Sequence, residues 1–110
     1  MVPEQSGRTV RLGRADELVS GQARRFDVGR HRICVVRIGD DFYAIGDRCS
    51  HADYSLSEGE VLTDELEIEC PQHGSAFSLK SGEPSTFPAT KPVPVYEVYR
   101  DGDDIMLVLP

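Results

Sequence analysis

Cys49-Ser50-His51 and Cys70-Pro71-Gln72-His73 are two short Cys/His pairs separated by 18 residues. They hold two of the chain's three cysteines and two of its three histidines. Each pair mixes a thiolate with an imidazole. A zinc finger usually places its cysteines on one limb and its histidines on the other. A four-cysteine iron–sulfur site uses no histidine at all. One thiolate and one imidazole per loop suits a pair of sulfide-bridged irons, with both cysteines on one iron and both histidines on the other. Cys49, His51, Cys70 and His73 are therefore the expected cofactor-binding metal ligands, and no catalytic residue is assigned. A structural zinc module built from the same four residues is the alternative, because zinc accepts four N/S ligands tetrahedrally.

Charge counting gives the di-iron reading its chemistry. Two ferric ions, two sulfides and two thiolates sum to zero, so an added electron leaves a single negative charge. An all-thiolate site would start from minus two and resist the electron. Neutral imidazoles in place of two thiolates raise the potential. Each iron-bound imidazole keeps a second N–H. His51 and His73 are thus expected at an exposed tip where electrons enter and leave, with a potential that falls at alkaline pH.

The rest of the chain reads as short strands between turns. Its 110 residues suit one small domain, and 10 Gly, 7 Pro and no Trp lean toward an all-β protein. Strands are expected over 9–12, 23–28, 31–38, 42–45, 66–69, 76–79, 95–99 and 105–109, with one helical turn near 15–19. Residues 46–59 read as a polar, glycine-punctuated loop around the first Cys/His pair. Cys34 sits in the apolar run Arg32-Ile33-Cys34-Val35-Val36 and reads as a buried, inert thiol. His31, after the Gly29-Arg30 turn, reads as a surface residue.

A net charge of −7 opposes a nucleic-acid partner, since phosphate rewards lysine and arginine. Glu65, Glu67 and Glu69 alternate with Leu66 and Ile68, which predicts one acidic and one core-facing side. That face is either simply solvated or a docking surface. No apolar run has the length of a membrane span, and the first residues carry no secretory h-region. A soluble, cytoplasmic, monomeric protein with no membrane partner is expected.

The pattern Cys49-Ser50-His51 followed by Cys70-Pro71-Gln72-His73-Gly74 resembles the Rieske signature C-x-H…C-P-x-H-G. Over about residues 10–109 the chain is similar to the Rieske-type ferredoxins of bacterial aromatic-ring dioxygenase systems, such as those for biphenyl and phenylpropionate. The resemblance implies an all-β, Rieske-type antiparallel β sandwich or barrel with an inserted cluster-binding loop subdomain. Residues 1–110 would form a single Rieske domain, with that subdomain at about 46–88. It implies one Rieske-type [2Fe–2S] cluster per chain, bound by Cys49, His51, Cys70 and His73. A proline-rich loop around Gly82-Glu83-Pro84 would pack over the cluster. The implied partners are a flavin-dependent, NAD(P)H-oxidising ferredoxin reductase and a terminal oxygenase.

Departures from the pattern refine it. Respiratory Rieske proteins join the two loops by a disulfide, but Tyr54 and Gln72 stand at those places here. They also place a serine and a tyrosine after the second histidine to donate to cluster sulfurs. Ser75 is present, whereas Phe77 cannot donate. A potential low for a Rieske centre follows. Ser75 either serves a sulfur or caps a turn. Rieske oxygenases need a second iron held by two histidines and a carboxylate, and only His31 remains for it. The chain is therefore read as an electron carrier, not an enzyme. Residues 50–59 and 87–93 also resemble Rieske proteins encoded beside actinobacterial iron–sulfur assembly genes. A redox accessory in that process is the alternative function.

Overall fold

Short apolar runs closed by tight turns organise the chain. In the computed structural model, residues 8–50, 54–72, 74–85 and 89–109 are described. Among them lie β1 (Thr9–Arg14), β2 (Gln22–Val28), β3 (His31–Ile38), β4 (Asp41–Gly46), β5 (Glu60–Leu62), β6 (Glu67–Glu69), β7 (Ala76–Ser78), β8 (Val95–Asp101) and β9 (Asp104–Val108). One sheet runs in the order β1-β9-β8-β4-β3-β2, the other β5-β6-β7, and all pairings are antiparallel. The β2–β3 and β8–β9 hairpins, and the β3–β4 hairpin through Gly39-Asp40, are the ones expected from the sequence. The expected helical turn is a single 3₁₀ turn at Ala15–Glu17.

Strand β3 explains why its sequence is a continuous apolar run rather than an alternating one. It lies between β2 and β4, and both of its faces are covered. Ile33 and Val35 join Leu18, Ala44, Leu107 and Leu109 in one apolar cluster. Cys34 and Val36 face the other way and join Ile45, Leu56, Ile68, Phe77 and Leu79. Alternation persists, but each side chain finds a core. The second cluster is the one that carries the ligand loops.

The region expected as polar loop departs from that reading. Leu56 is fully buried at the head of a 3₁₀ turn, Leu56–Glu58, and β5 follows at once. Gly59 sits where a Cβ would lie 1.7 Å from the Glu69 carbonyl, so no side chain fits there. This contact lets β5 pair with β6. Leu66, placed in a strand by its alternation, has φ 56 and turns the chain before β6 begins. Ile68 enters the core as expected. Glu67 and Glu69 are half-buried rather than freely solvated, and Glu60 stands directly opposite Glu69.

Candidate metal centre

The two ligand loops share one construction. Each begins where a central strand stops: Cys49 lies three residues after β4, and Cys70 directly follows β6. The amide of Cys49 donates to the Tyr54 carbonyl at 3.0 Å, and that of Cys70 to the Ser75 carbonyl at 2.7 Å. In both cases the closing carbonyl is five residues on, so each loop encloses its histidine between the cysteine and the closure. His51 and His73 themselves lie outside the described residues. The Arg48–Ser55 bridge and the Gly74 N–H bond to the Cys70 carbonyl, 3.1 Å, complete the two bases.

Cys49 and Cys70 are 2% and 3% exposed and belong to the same apolar cluster, with Leu56, Ile68, Phe77, Leu79, Ala89 and Val93 around them. No disulfide joins any of the three cysteines. Two thiols brought from separate loops into one dry region form a donor set that fits an iron–sulfur cluster, whose thiolate iron needs two converging sulfurs shielded from water. Cys34 belongs to the same cluster but sits mid-strand in β3. Burial, helped by the nearby Asp47 carboxylate, pushes its thiol far above the ordinary range, which keeps it protonated and a poor ligand.

Asp47 is the residue that sequence reading missed. Its side chain is completely buried, yet both carboxylate oxygens are used. Oδ1 accepts the Ser57 N–H at 2.8 Å, and Oδ2 accepts the Ser55 hydroxyl. Arg25 Nε, itself paired with Asp27 at 2.8 Å, lies 3.9 Å away. The Asp47 backbone also accepts the Leu56 N–H at 2.6 Å and donates to the Arg32 carbonyl at 2.9 Å. One side chain thus fixes the returning limb of the first loop to the end of β4. The available signal was weak: an acid two residues before Cys49, and serines flanking Leu56.

Residues 89–94 strap both loops; of the Gly82-Glu83-Pro84 segment that the resemblance placed over the cluster, Gly82 meets this strap. Ser50 Oγ donates to the Lys91 carbonyl at 2.5 Å, and the Ala89 N–H donates to Ser75 Oγ at 3.0 Å. Gly82, at φ +75, comes so close to the Val93 carbonyl that a Cβ would lie 2.2 Å from it. The Val93 N–H donates back to the Gly82 carbonyl at 2.9 Å, and the Gly46 N–H donates to Pro94. Ser75 is therefore neither a simple turn cap nor idle. Its oxygen holds the strap by accepting the Ala89 N–H. Phe77, fully buried in β7, presents only carbon. Tyr54 is exposed, and Gln72 is exposed in the second loop.

A family model for the Rieske [2Fe-2S] domain matches residues 8–97. The chain belongs to this family. Its centre is accordingly a Rieske [2Fe–2S] cluster, which displaces the zinc reading. Over 94 residues the chain is 43% identical to the 3-phenylpropionate/cinnamic acid dioxygenase ferredoxin subunit of Escherichia coli (strain K12), covering 86% of this chain and 87% of that one. The ferredoxin of carbazole 1,9a-dioxygenase from Nocardioides aromaticivorans IC177 superposes with a TM-score of 0.88 at 42% identity, covering 93% of this chain and 97% of that one. A putative NADH-dependent nitrite reductase small subunit from Mycobacterium tuberculosis has a TM-score of 0.86 at 19% identity, covering 96% and 98% of the two chains, which is a likeness of fold. Within the Rieske fold, His31 is not the plain surface residue expected. It opens β3 half-buried, with its ring edge-on to Tyr96 and Nδ1 3.1 Å from the Tyr96 hydroxyl.

Proposed function

We propose that this Rieske protein is the ferredoxin component of a multicomponent aromatic-ring dioxygenase system, taking single electrons from an NAD(P)H-dependent flavoprotein reductase and passing them to a terminal oxygenase. The observation that carries the reading is the pair of buried thiols at the bases of two strapped loops, in a chain matching dioxygenase ferredoxins over most of its length. A carbazole 1,9a-dioxygenase ferredoxin at 38% identity has been solved in complex with its oxygenase, which supports an oxygenase as the receiving partner.

In this reading Cys49 and Cys70 hold one iron, and His51 and His73 the other, within a cluster-binding subdomain of about residues 46–88. The cluster, when bound, supplies a one-electron couple. The chain's residues do the rest. Leu56, Ile68, Phe77 and Val93 keep water from the thiolate side. Asp47 fixes the first loop to the end of β4, and Ser50 and Ser75 tie the two loops to the strap, so electron gain requires little rearrangement. Phe77 withholds a hydrogen bond that would stabilise the reduced state, which keeps the potential low for a Rieske centre. No helix among the described residues is long and apolar enough to cross a membrane. A cytoplasmic monomer fits a carrier that draws on NAD(P)H.

Two measurements test this. The dithionite-reduced protein should show the rhombic EPR signal of a Rieske centre with one electron taken up per chain. It should then sustain substrate oxidation when mixed with NADH and the reductase and oxygenase of a 3-phenylpropionate dioxygenase system. A colourless, redox-silent protein defeats the cluster assignment, and a reducible protein that supports no turnover defeats the dioxygenase role.

A further inference from the structure

The second ligand loop begins at Cys70, and the residue that leads into it is Glu69, at the end of β6. Its partners across the small sheet are Glu60 on β5 and Ala76 on β7. Two residues back on the same face, Glu67 stands between Leu62 and Ser78. Three carboxylates thus share a face whose paired positions offer no lysine or arginine. Like charges directly opposite one another weaken a strand pair. None of the three glutamates makes an ion pair or a side-chain hydrogen bond among the described residues. The Glu69 side chain folds forward over its own loop. Its carboxyl carbon lies 4.0 Å from where a Cβ on Gly74 would stand, and the Gly74 N–H is bonded to the Cys70 carbonyl. Asp47, the acid of the first loop, is answered by the Ser57 N–H, the Ser55 hydroxyl and, at 3.9 Å, Arg25. Glu69 is half-buried and has no such partner among the described residues.

We propose that Glu69 sets the reduction potential of the cluster: its uncompensated carboxylate, held against the Cys70 loop, opposes the negative charge that arrives with the electron. The proposal deepens the carrier reading above and rests on it. Net charge is one of the levers on the potential of an iron–sulfur cluster. The oxidised centre is neutral and the reduced centre carries one negative charge, so a neighbouring anion destabilises the reduced state alone. Half-burial places the carboxylate in an effective dielectric well below that of water, which lets the charge act over the short span to the loop. A lower potential is a stronger drive to pass the electron on. Phe77 lowers the potential by withholding a hydrogen bond, whereas Glu69 lowers it by charge, and the two contributions can be separated. An acid pair that weakens β5–β6 beside a redox centre is the kind of local conflict that function sustains.

The test compares variants of the holoprotein by redox potentiometry at neutral pH and low ionic strength, with iron content, the EPR signal and urea unfolding read in parallel. Glu69→Gln should raise the potential, so that at a fixed ambient potential the reduced-to-oxidised ratio grows about three- to tenfold, which is about 30 to 60 mV for one electron. Glu69→Asp keeps the charge and should stay within about twofold of the wild-type ratio. Glu60→Gln removes the same like-charge pair from the other strand and should change the ratio by less than about twofold. Both glutamine variants should resist urea better than the wild type, because either one relieves the pair. Equal shifts in Glu69→Gln and Glu60→Gln would mean that the potential follows net charge alone, and would overturn the proposal. A more stable Glu69→Gln with an unchanged potential would reduce Glu69 to a strand residue. A shift in Glu69→Asp as large as that in Glu69→Gln would assign the effect to shape, and loss of iron from Glu69→Gln would make the carboxylate a support for the loop; either overturns it. A wild type that takes no electron from dithionite fails the carrier reading before any variant is compared.

Discussion

The six-stranded sheet and the ligand loops are built on opposite principles. In the sheet, β3 is paired along its length on both sides, and its side chains fill two cores. Each contact is one of many, so single losses are shared among neighbours. In the loops, few contacts carry much: Asp47 holds the first, Ser75 ties the second to the strap, and each cysteine amide closes one base. The framework is redundant and the site is not. Three buried cysteines make the contrast sharp, since one belongs to the framework and two to the loops.

The largest expected effect separates those cysteines. Cys49→Ser or Cys70→Ser should abolish the Rieske EPR signal and the visible colour, because a serine alkoxide is a poor replacement for an iron thiolate. Cys34→Ala should retain full cluster occupancy and lose only about 1 kcal/mol of stability, the cost of a small cavity. Iron and sulfide content of the purified variants reads the difference. Loss of cluster from Cys34→Ala would erase the distinction between framework and site.

Next is Asp47→Ala, which takes the acceptor from the half-buried Ser57 amide and leaves the Ser55 hydroxyl only Ser57 Oγ, at 2.9 Å. Hydrogen bonds to a charged acceptor contribute about 1.5–3 kcal/mol each, so a loss of about 3 kcal/mol in urea unfolding is expected. Hydrogen exchange by mass spectrometry should show faster exchange in residues 54–60 with β3 unchanged. Uniform acceleration across both regions would mean that the loop and the sheet open as one unit.

The same contrast explains what could be read from the sequence. Strands β2, β3, β4, β8 and β9 were legible because period, turn glycines and β-branched residues agree there. The Cys/His pattern stands out in the sequence because the chemistry it points to demands two residue types at fixed spacing, and the fold brings Cys49 and Cys70 into one cluster. Leu56 and β5 were not, since a single apolar residue in a polar stretch and a three-residue strand give no periodicity to detect. Asp47 was hidden for a different reason. An acid in Gly46-Asp47-Arg48 reads as a turn residue, and only the fold reveals that its partners stand eight and ten residues on. The half-buried Glu67 and Glu69 were misread because alternation reports which face points away from the core, not whether another segment covers that face.

Ser75→Ala should have a smaller effect on stability. The buried Ala89 N–H loses its acceptor, at about 1–2 kcal/mol. Faster exchange should be confined to residues 89–93, leaving residues 54–60 as in the wild type. The Ser75 hydroxyl accepts from Ala89 and keeps a proton to give, and a buried hydroxyl rarely leaves one unused. Ser75 closes the Cys70 loop through its carbonyl, and the resemblance implies a cluster sulfur as the hydroxyl's acceptor. The reduction potential of Ser75→Ala should therefore be more negative than that of the wild type. An unchanged potential with the stability loss intact would reduce Ser75 to an anchor of the strap.

The smallest effect lies in the framework and is visible only at alkaline pH. The Cys34 thiol has an ordinary value of 9.0 and is held well above it by burial and by Asp47. Below pH 9 the thiol is protonated whether the chain is folded or not, and stability does not depend on it. Above that point the unfolded chain loses a proton that the folded chain still holds. Stability then falls as pH rises, by up to about 1.4 kcal/mol per pH unit. Tyr96, raised by partial burial, steepens the fall above its ordinary value of 10.0, but it does so in every variant that keeps it. Urea unfolding of wild type and Cys34→Ala between about pH 8 and pH 10 isolates the thiol. The wild-type curve should descend more steeply, so that the two proteins converge as pH rises. Parallel curves would mean that the folded core lets Cys34 ionise as readily as the unfolded chain does, and that the sheet is no drier than the loops it carries.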